Sequence, residues 1–158
     1  MTKLLENRTL AFFVRLSLGL VFLYSAWPKI ADPPAFAEMI WNYRILPGAM
    51  VNPLAIILPW LELLAGLALV TGWLRRGAAL LAVCMLIVFI AAISVDLIRG
   101  IAVDCGCFSV AVEAKTTEQL FAAMKLDLVR DAALLLLSAF VLFSRPPIAT
   151  ASADDDKG

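Results

Sequence analysis

Long apolar runs separated by short polar connections dominate this chain. A membrane hydrocarbon core about 30 Å thick requires roughly 20 helical residues, and four runs approach that length. The third run is the clearest, because Gly77 to Val95 carries no charged residue. The fourth reaches spanning length only by including Asp127, Arg130 and Asp131 near its start. The pattern predicts an all-α fold with four transmembrane helices, at about 10–27, 54–71, 76–98 and 126–143.

Helix-breaking residues mark the expected ends of these segments. Pro28 and Lys29 interrupt the first apolar run, so we place the end of the first helix at Trp27. Pro53 suits the first turn of the second helix, where its missing N–H would have no partner in any case. Gly72 follows that helix and readily adopts the backbone conformation of a helix C-terminus.

Three further segments lie outside the predicted spans. Phe36 to Tyr43 predicts a short amphipathic helix at the membrane interface. Thr116-Thr117-Glu118 has the residues of a helix start. The tail, residues 146–158, is polar and contains three aspartates, so we expect it to be disordered. One domain over residues 1–145, followed by this tail, is the organisation we predict.

The composition places this domain in a membrane. Hydrophobic residues make up 63% of the 158 residues and charged residues 16%, where a soluble domain carries about 25% charge. The net charge is zero, so there is no electrostatic footprint for nucleic acid. Histidine is absent, which excludes hydrolases of the Ser-His type. We therefore predict an integral membrane four-helix bundle embedded in the lipid bilayer.

Two adjacent arginines indicate the orientation of the bundle. Lys and Arg concentrate in short cytoplasmic connections of membrane proteins, and Arg75 and Arg76 lie in the tight connection that starts at Gly72. We expect this connection and both termini in the cytoplasm. The loop from Gly100 to Lys125 then faces the other side, where thiols can be oxidised.

That loop contains the motif Cys105-Gly106-Cys107. Gly106 has no side chain to resist a tight bend, and alpha carbons two residues apart can reach the separation of about 4.4–6.8 Å that a disulfide requires. So small a ring is strained, and strained, exposed disulfides have the oxidising potentials typical of catalytic bridges. The motif favours exchange of Cys105 and Cys107 with a partner thiol.

Other interpretations of the cysteines remain open. Asp104 disfavours a neighbouring thiolate, whereas Arg99 favours it. Both residues could therefore adjust the reactivity of the dithiol, in opposite directions. The two cysteines could instead be ordinary small residues, or they could capture a soft cation such as Cu(I). No further Cys, His or Met stands nearby, so we predict no metal site. Cys84 lies roughly 30 Å from Cys105 by helical rise, and we interpret it as a buried apolar residue.

Charged residues within the apolar runs are costly in a membrane, which makes each a functional hypothesis. Glu62 lies on the order of 12 Å below the outer edge of its helix and requires a partner. Arg15 and Lys29 are the two candidates, although Arg15 can turn toward the inner face. The resulting pair would be either a structural link between helices or a site that handles protons or a ligand.

Tryptophans accompany these charges. Trp27, Trp41 and Trp60 are typical of the aromatic belt at a membrane interface. Trp27 and Trp60 could also line a quinone pocket beside Glu62. A quinone is therefore a candidate cofactor.

Several short motifs of this chain resemble the DoxX-like family, and within it the MauE branch of methylamine utilisation membrane proteins. The resemblance covers about residues 8–145, and its most specific part is Cys105-Gly106-Cys107-Phe108. It implies a four-helix bundle and a role in electron transfer or disulfide formation outside the cytoplasm, beside a thioredoxin-fold partner. The other matching motifs are Arg15 to Gly19, Phe22 to Lys29, Tyr43 to Pro47, Pro59 to Glu62 with Gly66, and Arg99-Gly100.

These observations lead to one functional hypothesis and two alternatives. We predict a thiol-disulfide oxidoreductase, or a redox accessory protein, as a multi-pass protein of the bacterial cytoplasmic (inner) membrane. Cys105 and Cys107 would cycle between dithiol and disulfide with a periplasmic thioredoxin-like or thiol protein, and electrons would leave through a quinone near Glu62. The alternatives are a soft-metal-binding membrane protein and a non-catalytic assembly subunit.

Overall fold

The fold of the described residues, 8–103 and 116–144, comes from a computed structural model of the chain. These residues contain helices and no strand, which confirms the all-α class for this part of the protein. The motif Cys105-Gly106-Cys107, together with Asp104, Phe108 and the 146–158 tail, lies outside the described residues. The helices are α1 (Arg8–Ala31), α2 (Pro33–Asn42), α3 (Gly48–Thr71), α4 (Arg75–Arg99) and α5 (Thr117–Phe143).

Three helices are long and apolar enough to cross a membrane: Thr9–Ala31 within α1, and the whole of α3 and α4. Together with the composition, they identify a membrane protein. The last helix, α5, is comparable in length but carries Asp127, Arg130 and Asp131 in its middle. The stretch without charge that follows is too short to span a bilayer by itself.

Prolines do not mark the boundaries of α1 and α3 that the sequence suggested. α1 continues through Pro28 to Ala31, and the backbone N–H of Asp32 still bonds to the carbonyl of Pro28 at 3.1 Å. α3 begins at Gly48, so that Pro53 lies inside the helix and not in its first turn. In an apolar environment the other backbone groups have no water to bond to, so the helix persists around a proline.

Capping residues fix three of the helix ends. Gly72 ends α3 with a φ of +80°, a conformation that glycine adopts without steric cost. Thr116 begins α5 with a reciprocal pair of hydrogen bonds to Gln119, the capping box. Asp32 accepts a hydrogen bond from the backbone of Ala35 at the start of α2. The sequence signals at Gly72 and Thr116 therefore act as predicted.

The long helices pack mainly as two pairs, α1 with α3 and α4 with α5. Contacts of α3 with α4 and of α1 with α5 join the pairs. Two layers of buried side chains fill the space between them. One layer contains Leu18, Leu69, Ala78, Ala79 and Val141, and the other contains Phe22, Ala65, Ala82, Met85 and Leu86.

Two glycines allow α1 and α3 to pack backbone against backbone. A Cβ added at Gly19 would lie 2.9 Å from the carbonyl oxygen of Gly66 and 2.7 Å from a methyl group of Val70. Both distances are too short for carbon, and the carbonyl belongs to a helix that cannot yield locally. Glycine at position 19 therefore sets the separation of the two helices.

Replacing Gly19 with alanine is expected to destabilise the protein by about 1–3 kcal/mol, as overpacking does. Thermal unfolding in detergent, followed by circular dichroism, measures the effect. Gly77→Ala is the matched control, because a Cβ at Gly77 meets nothing within 4 Å. Alanine is the better helix former by about 0.5–1 kcal/mol, so the control should unfold at or above the wild-type temperature. Equal behaviour of the two variants would contradict the close approach.

Candidate functional site

A buried ion pair joins α1 to α3. Lys29 Nζ lies 2.7 Å from Glu62 Oε1 and 2.8 Å from Oε2, and both side chains are 2% exposed. Lys29 also donates to Ser25 Oγ at 3.1 Å, and Ser25 donates to Glu62 Oε2 at 3.4 Å. Both charges are thus compensated inside the helical core, where a single charge would be costly.

The helix geometry explains why these three side chains meet. Ser25 and Lys29 are four residues apart and lie on one face of α1, because that helix continues through Pro28. α3 runs in the opposite direction from its contact at Gly66, so Glu62 lies on the same side of the crossing as Ser25 and Lys29. The glycine contact below them brings the two helices close enough for direct hydrogen bonds.

Arg15, the other candidate partner of Glu62, lies elsewhere. Its guanidinium packs against Gly72, in the space that a Cβ would occupy, and its Cζ lies 5.5 Å from the ring centre of Phe12. Gly72 is the C-terminus of α3, where unpaired carbonyls carry partial negative charge. Lys29 is therefore the partner of Glu62, and Arg15 interacts with the opposite end of the same helix.

Two aromatic rings flank the ammonium group of Lys29. Its Nζ lies 5.2 Å from the ring centre of Phe36 on α2 and 5.6 Å from that of Phe89 on α4. Rings at this distance attract a cation through their electron-rich faces. The same two rings line an apolar cavity whose lining includes neither Lys29 nor Glu62. The rings therefore lie between the ion pair and this cavity.

The apolar cavity has a volume of about 320 Å³, and its lining is almost wholly apolar. It lies between α2, the residues that follow α2, and the facing sides of α3 and α4. A cavity of this size accepts a ring or a length of hydrocarbon chain. Its lining includes Phe36, Met39, Tyr43, Leu58, Cys84 and Phe89.

Cys84 is not the buried residue that the sequence suggested. It is exposed, and it lines the apolar cavity. The error has a physical reason, because α4 is apolar on all sides. A helix without a polar face gives no periodic signal of which side is packed.

Trp27 and Trp60 face outward. Trp27 is 74% exposed and Trp60 is 52% exposed, and neither lines the apolar cavity. Trp41 on α2 is also exposed. Outward tryptophans are typical of an interfacial belt.

Charged side chains of α5 approach the ion pair from a third helix. Arg130 lies 2.7 Å from Asp127 and 2.9 Å from Asp131. Asp131 is 2% exposed, and its Oδ2 has no hydrogen-bond partner among the residues that the structure describes. A cavity of about 30 Å³ lies between these groups and the Lys29–Glu62 pair. Its polar lining comes from Ser25, Lys29, Glu62, Arg130 and Asp131.

Sequence reasoning did not identify Asp131 as a site residue. Asp127, Arg130 and Asp131 were placed together near the start of the last helix, and none of them was assigned to a site. The available signal was the position of Asp131 directly before an uncharged stretch. A carboxylate there is subject to the same rule for charges in membranes that singled out Glu62.

Asp96 is a second buried carboxylate, near the end of α4. It is fully buried, and neither of its carboxylate oxygens has a hydrogen-bond partner within residues 8–103 and 116–144. Arg99, which is half exposed, approaches it to 3.9 Å. Four residues beyond Arg99, Val103 is buried in a cluster with Ile93 and Met124. The described chain therefore folds back onto α4 and α5 directly before Asp104 and the cysteines.

Comparison with known proteins places the chain among methylamine utilisation proteins. Residues 7–144 match the family model of "Methylamine utilisation protein MauE". The chain is 39% identical to methylamine utilization protein MauE of Methylophilus methylotrophus, over 68% of this chain and 57% of that protein. It is 34% identical to the protein of the same name from Methylorubrum extorquens, over 97% of this chain and 78% of that one.

A third relative with this name, from Paracoccus denitrificans, is 34% identical over 60% of this chain and 52% of its own length. The chain thus spans little more than half the length of two of these three relatives. No solved structure gives a significant match.

Proposed function

Since this chain belongs to the MauE family of methylamine utilisation proteins, we propose that it serves methylamine utilisation as a membrane thiol-disulfide redox protein. Cys105-Gly106-Cys107 is the reacting group, and its partner is a thioredoxin-like or thiol protein of the periplasm. The observation that carries the proposal is the dithiol motif in the segment between α4 and α5, on the side of the helices where Lys29 and Glu62 are paired.

The proposed architecture is a four-helix bundle of the bacterial inner membrane, with both termini in the cytoplasm. The exposed side chains of α5 support its role as a fourth span. They form an outward stripe of Leu126, Val129, Leu136 and Phe143, whereas Asp131 is buried. A helix that turns its apolar side chains outward and its carboxylate inward suits a lipid environment.

The dithiol reaction proceeds by thiol exchange. A thiolate of the pair attacks a disulfide sulfur of the partner, and the partner's other sulfur leaves as a thiolate. The second cysteine then attacks the mixed disulfide, which closes the Cys105–Cys107 bridge and releases the partner with two thiols. The reverse sequence oxidises the partner. Asp104, Gly106, Phe108 and Arg99 are the proposed supporting residues, because they lie close to the two cysteines in the sequence.

A membrane quinone is the proposed second redox partner, bound in the apolar cavity next to Phe36 and Phe89. The cavity supports this position better than Trp27 and Trp60 do, because those rings face outward. Oxidation of a dithiol to a disulfide releases two electrons and two protons, and reduction of a quinone to a quinol consumes both. Lys29 and Glu62 lie directly behind the aromatic wall of the cavity.

Alkylation followed by mass spectrometry tests the redox function. The full chain in nanodiscs is reduced, exposed to ubiquinone or menaquinone, and then treated with iodoacetamide. Cys105 and Cys107 should become protected as a disulfide while quinol forms, and Ser109→Ala, a change in the same segment that affects no thiol, should behave like wild type. If both cysteines stay alkylated under oxidant and exchange with no partner thiol, the redox function is wrong. If they oxidise but neither quinone binds or is reduced, the quinone step is wrong.

A further inference from the structure

Asp131 ends the polar network with an oxygen that the described structure leaves without a partner. Its Oδ1 accepts from Arg130 Nε at 3.0 Å and from Nη2 at 2.9 Å. Its Oδ2 is buried and accepts no hydrogen bond from the described part of the chain. A buried carboxylate oxygen left in this way loses the full free energy of its hydration. An unpaired oxygen at the wall of a cavity indicates that a small polar ligand in the cavity forms a hydrogen bond with it.

The adjoining cavity has the size and lining for such a ligand. Its volume of about 30 Å³ exceeds the roughly 10–15 Å³ that one water requires. Ser25 and Lys29 face it from α1, Glu62 from α3, and Arg130 and Asp131 from α5, while α4 contributes the apolar Leu86 and Phe89. One water there has several polar partners on three helices.

The charges around the cavity do not balance. Lys29 and Arg130 supply two positive charges, and Glu62, Asp127 and Asp131 supply three negative charges when all are ionised. A net charge inside a helical core is costly. The cluster becomes neutral by taking up one proton, and the unpaired oxygen of Asp131 offers the position for it.

We propose that this cavity is a proton-transfer site, in which one water links Asp131 to the Lys29–Glu62 pair. The O–H bond at Asp131 Oδ2 breaks as that carboxyl gives its proton to the water, and the water gives one of its own protons to a carboxylate oxygen of Glu62. The net result is one proton moved from Asp131 to Glu62, and no electron moves. Lys29 stays an ammonium ion throughout.

The site has a role in the proposed function, because reduction of a quinone consumes two protons, and in this respect the inference rests on that function. The aromatic rings of Phe36 and Phe89 separate the ion pair from the apolar cavity. The proton-transfer site therefore lies beside the proposed quinone, and its protonation can still be measured without any quinone.

Infrared difference spectroscopy of the full chain in nanodiscs tests the site. Spectra recorded across a pH titration, in light and heavy water, should contain the C=O band of a protonated carboxyl group. Asp131→Asn should remove that band, and Asp131→Glu should restore one. Asp96→Asn is the matched control, because Asp96 is also a buried carboxylate but is not among the residues that line the cavity, and it should keep the Asp131 band.

The rate of ubiquinone reduction gives a second measurement on the same variants. Loss of a positioned acid-base group costs on the order of a hundredfold or more in rate, so Asp131→Asn should slow the reaction by about that factor and flatten its pH profile, whereas Asp96→Asn should not. The site is overturned if the wild type shows no carboxyl band at any pH, a reading that requires no variant to fold. It is also overturned if both variants retain the band. If the band behaves as expected but the wild type reduces no quinone, the proposed quinone reaction fails and the proton site stands.

Discussion

Replacing Lys29 with methionine is expected to destabilise the protein by about 3–5 kcal/mol, the range for removing one partner of a buried ion pair. Methionine has a similar length but no charge, so the Glu62 carboxylate loses the cation that lies 2.7 Å away. Both side chains are 2% exposed, so solvent cannot replace the lost interaction. Chemical unfolding in detergent, followed by loss of helical signal, measures the change.

Two comparisons separate this effect from a general loss of charge. Lys125→Met removes an exposed cation from α5 and should change stability by less than about 0.5 kcal/mol. Lys29→Met combined with Glu62→Leu should recover most of the loss, because an apolar pair can replace a buried ion pair at little cost. A Lys29→Met protein as stable as the Lys125→Met protein would rule out the buried pair as a structural link.

The double variant Cys105→Ser, Cys107→Ser is expected to abolish thiol exchange completely, because serine cannot form a disulfide. In a methylamine-dependent growth assay, cells carrying it should match cells from which the gene is deleted. Ser109→Ala is the matched control, since it changes a residue of the same segment without touching a thiol and should leave growth at the wild-type level. Growth of the double variant should be scored with protein abundance in the membrane, so that lost folding is recognised.

The outcomes of the cysteine experiment divide the three functional classes. A redox protein loses function with the dithiol and requires no metal. A soft-metal protein would lose Cu(I) affinity in a Cys105→Ser variant. Normal growth of the double variant would contradict the redox proposal and favour an assembly subunit, whose function depends on the helix-packing surfaces instead.

The spans and several helix ends follow from local chemistry, and these were predictable. Apolar composition identifies α1, α3 and α4, the left-handed conformation required after α3 selects Gly72, and the capping box selects Thr116. The need of Glu62 for a buried cation was also evident from its depth alone. None of these inferences depends on how the helices are arranged around one another.

The cation that pairs with Glu62 could be identified only from the three-dimensional structure. Lys29 was placed outside the first helix because Pro28 was expected to end it, so its reach toward Glu62 could not be distinguished from that of Arg15. The helix in fact continues through Pro28, which keeps Ser25 and Lys29 on one face. Arg15 points instead to the C-terminus of α3 at Gly72.

The surroundings of Asp131 and the side of α4 on which Cys84 lies were harder still to predict from the sequence. The surroundings of Asp131 come from three other helices that are distant in sequence, and no local pattern contains them. Cys84 lies in a helix that is apolar on every side, so only packing decides which residues face a cavity. The chemistry of the dithiol segment is a prediction from sequence alone, because those residues lie outside the described part of the chain.

The pairing of α1 with α3 also bears on how the chain enters the membrane. Ribosomes make α1 first, so Lys29 reaches the insertion machinery before Glu62 is synthesised. An unpaired acidic residue at the centre of a span costs about 2.5–3.5 kcal/mol during insertion. Lys29 on α1 is then already present as a counter-charge that lowers this cost, so α1 assists the insertion of α3. Insertion of α3 should therefore become less efficient when Lys29 is neutral, in addition to the loss of stability in the folded protein.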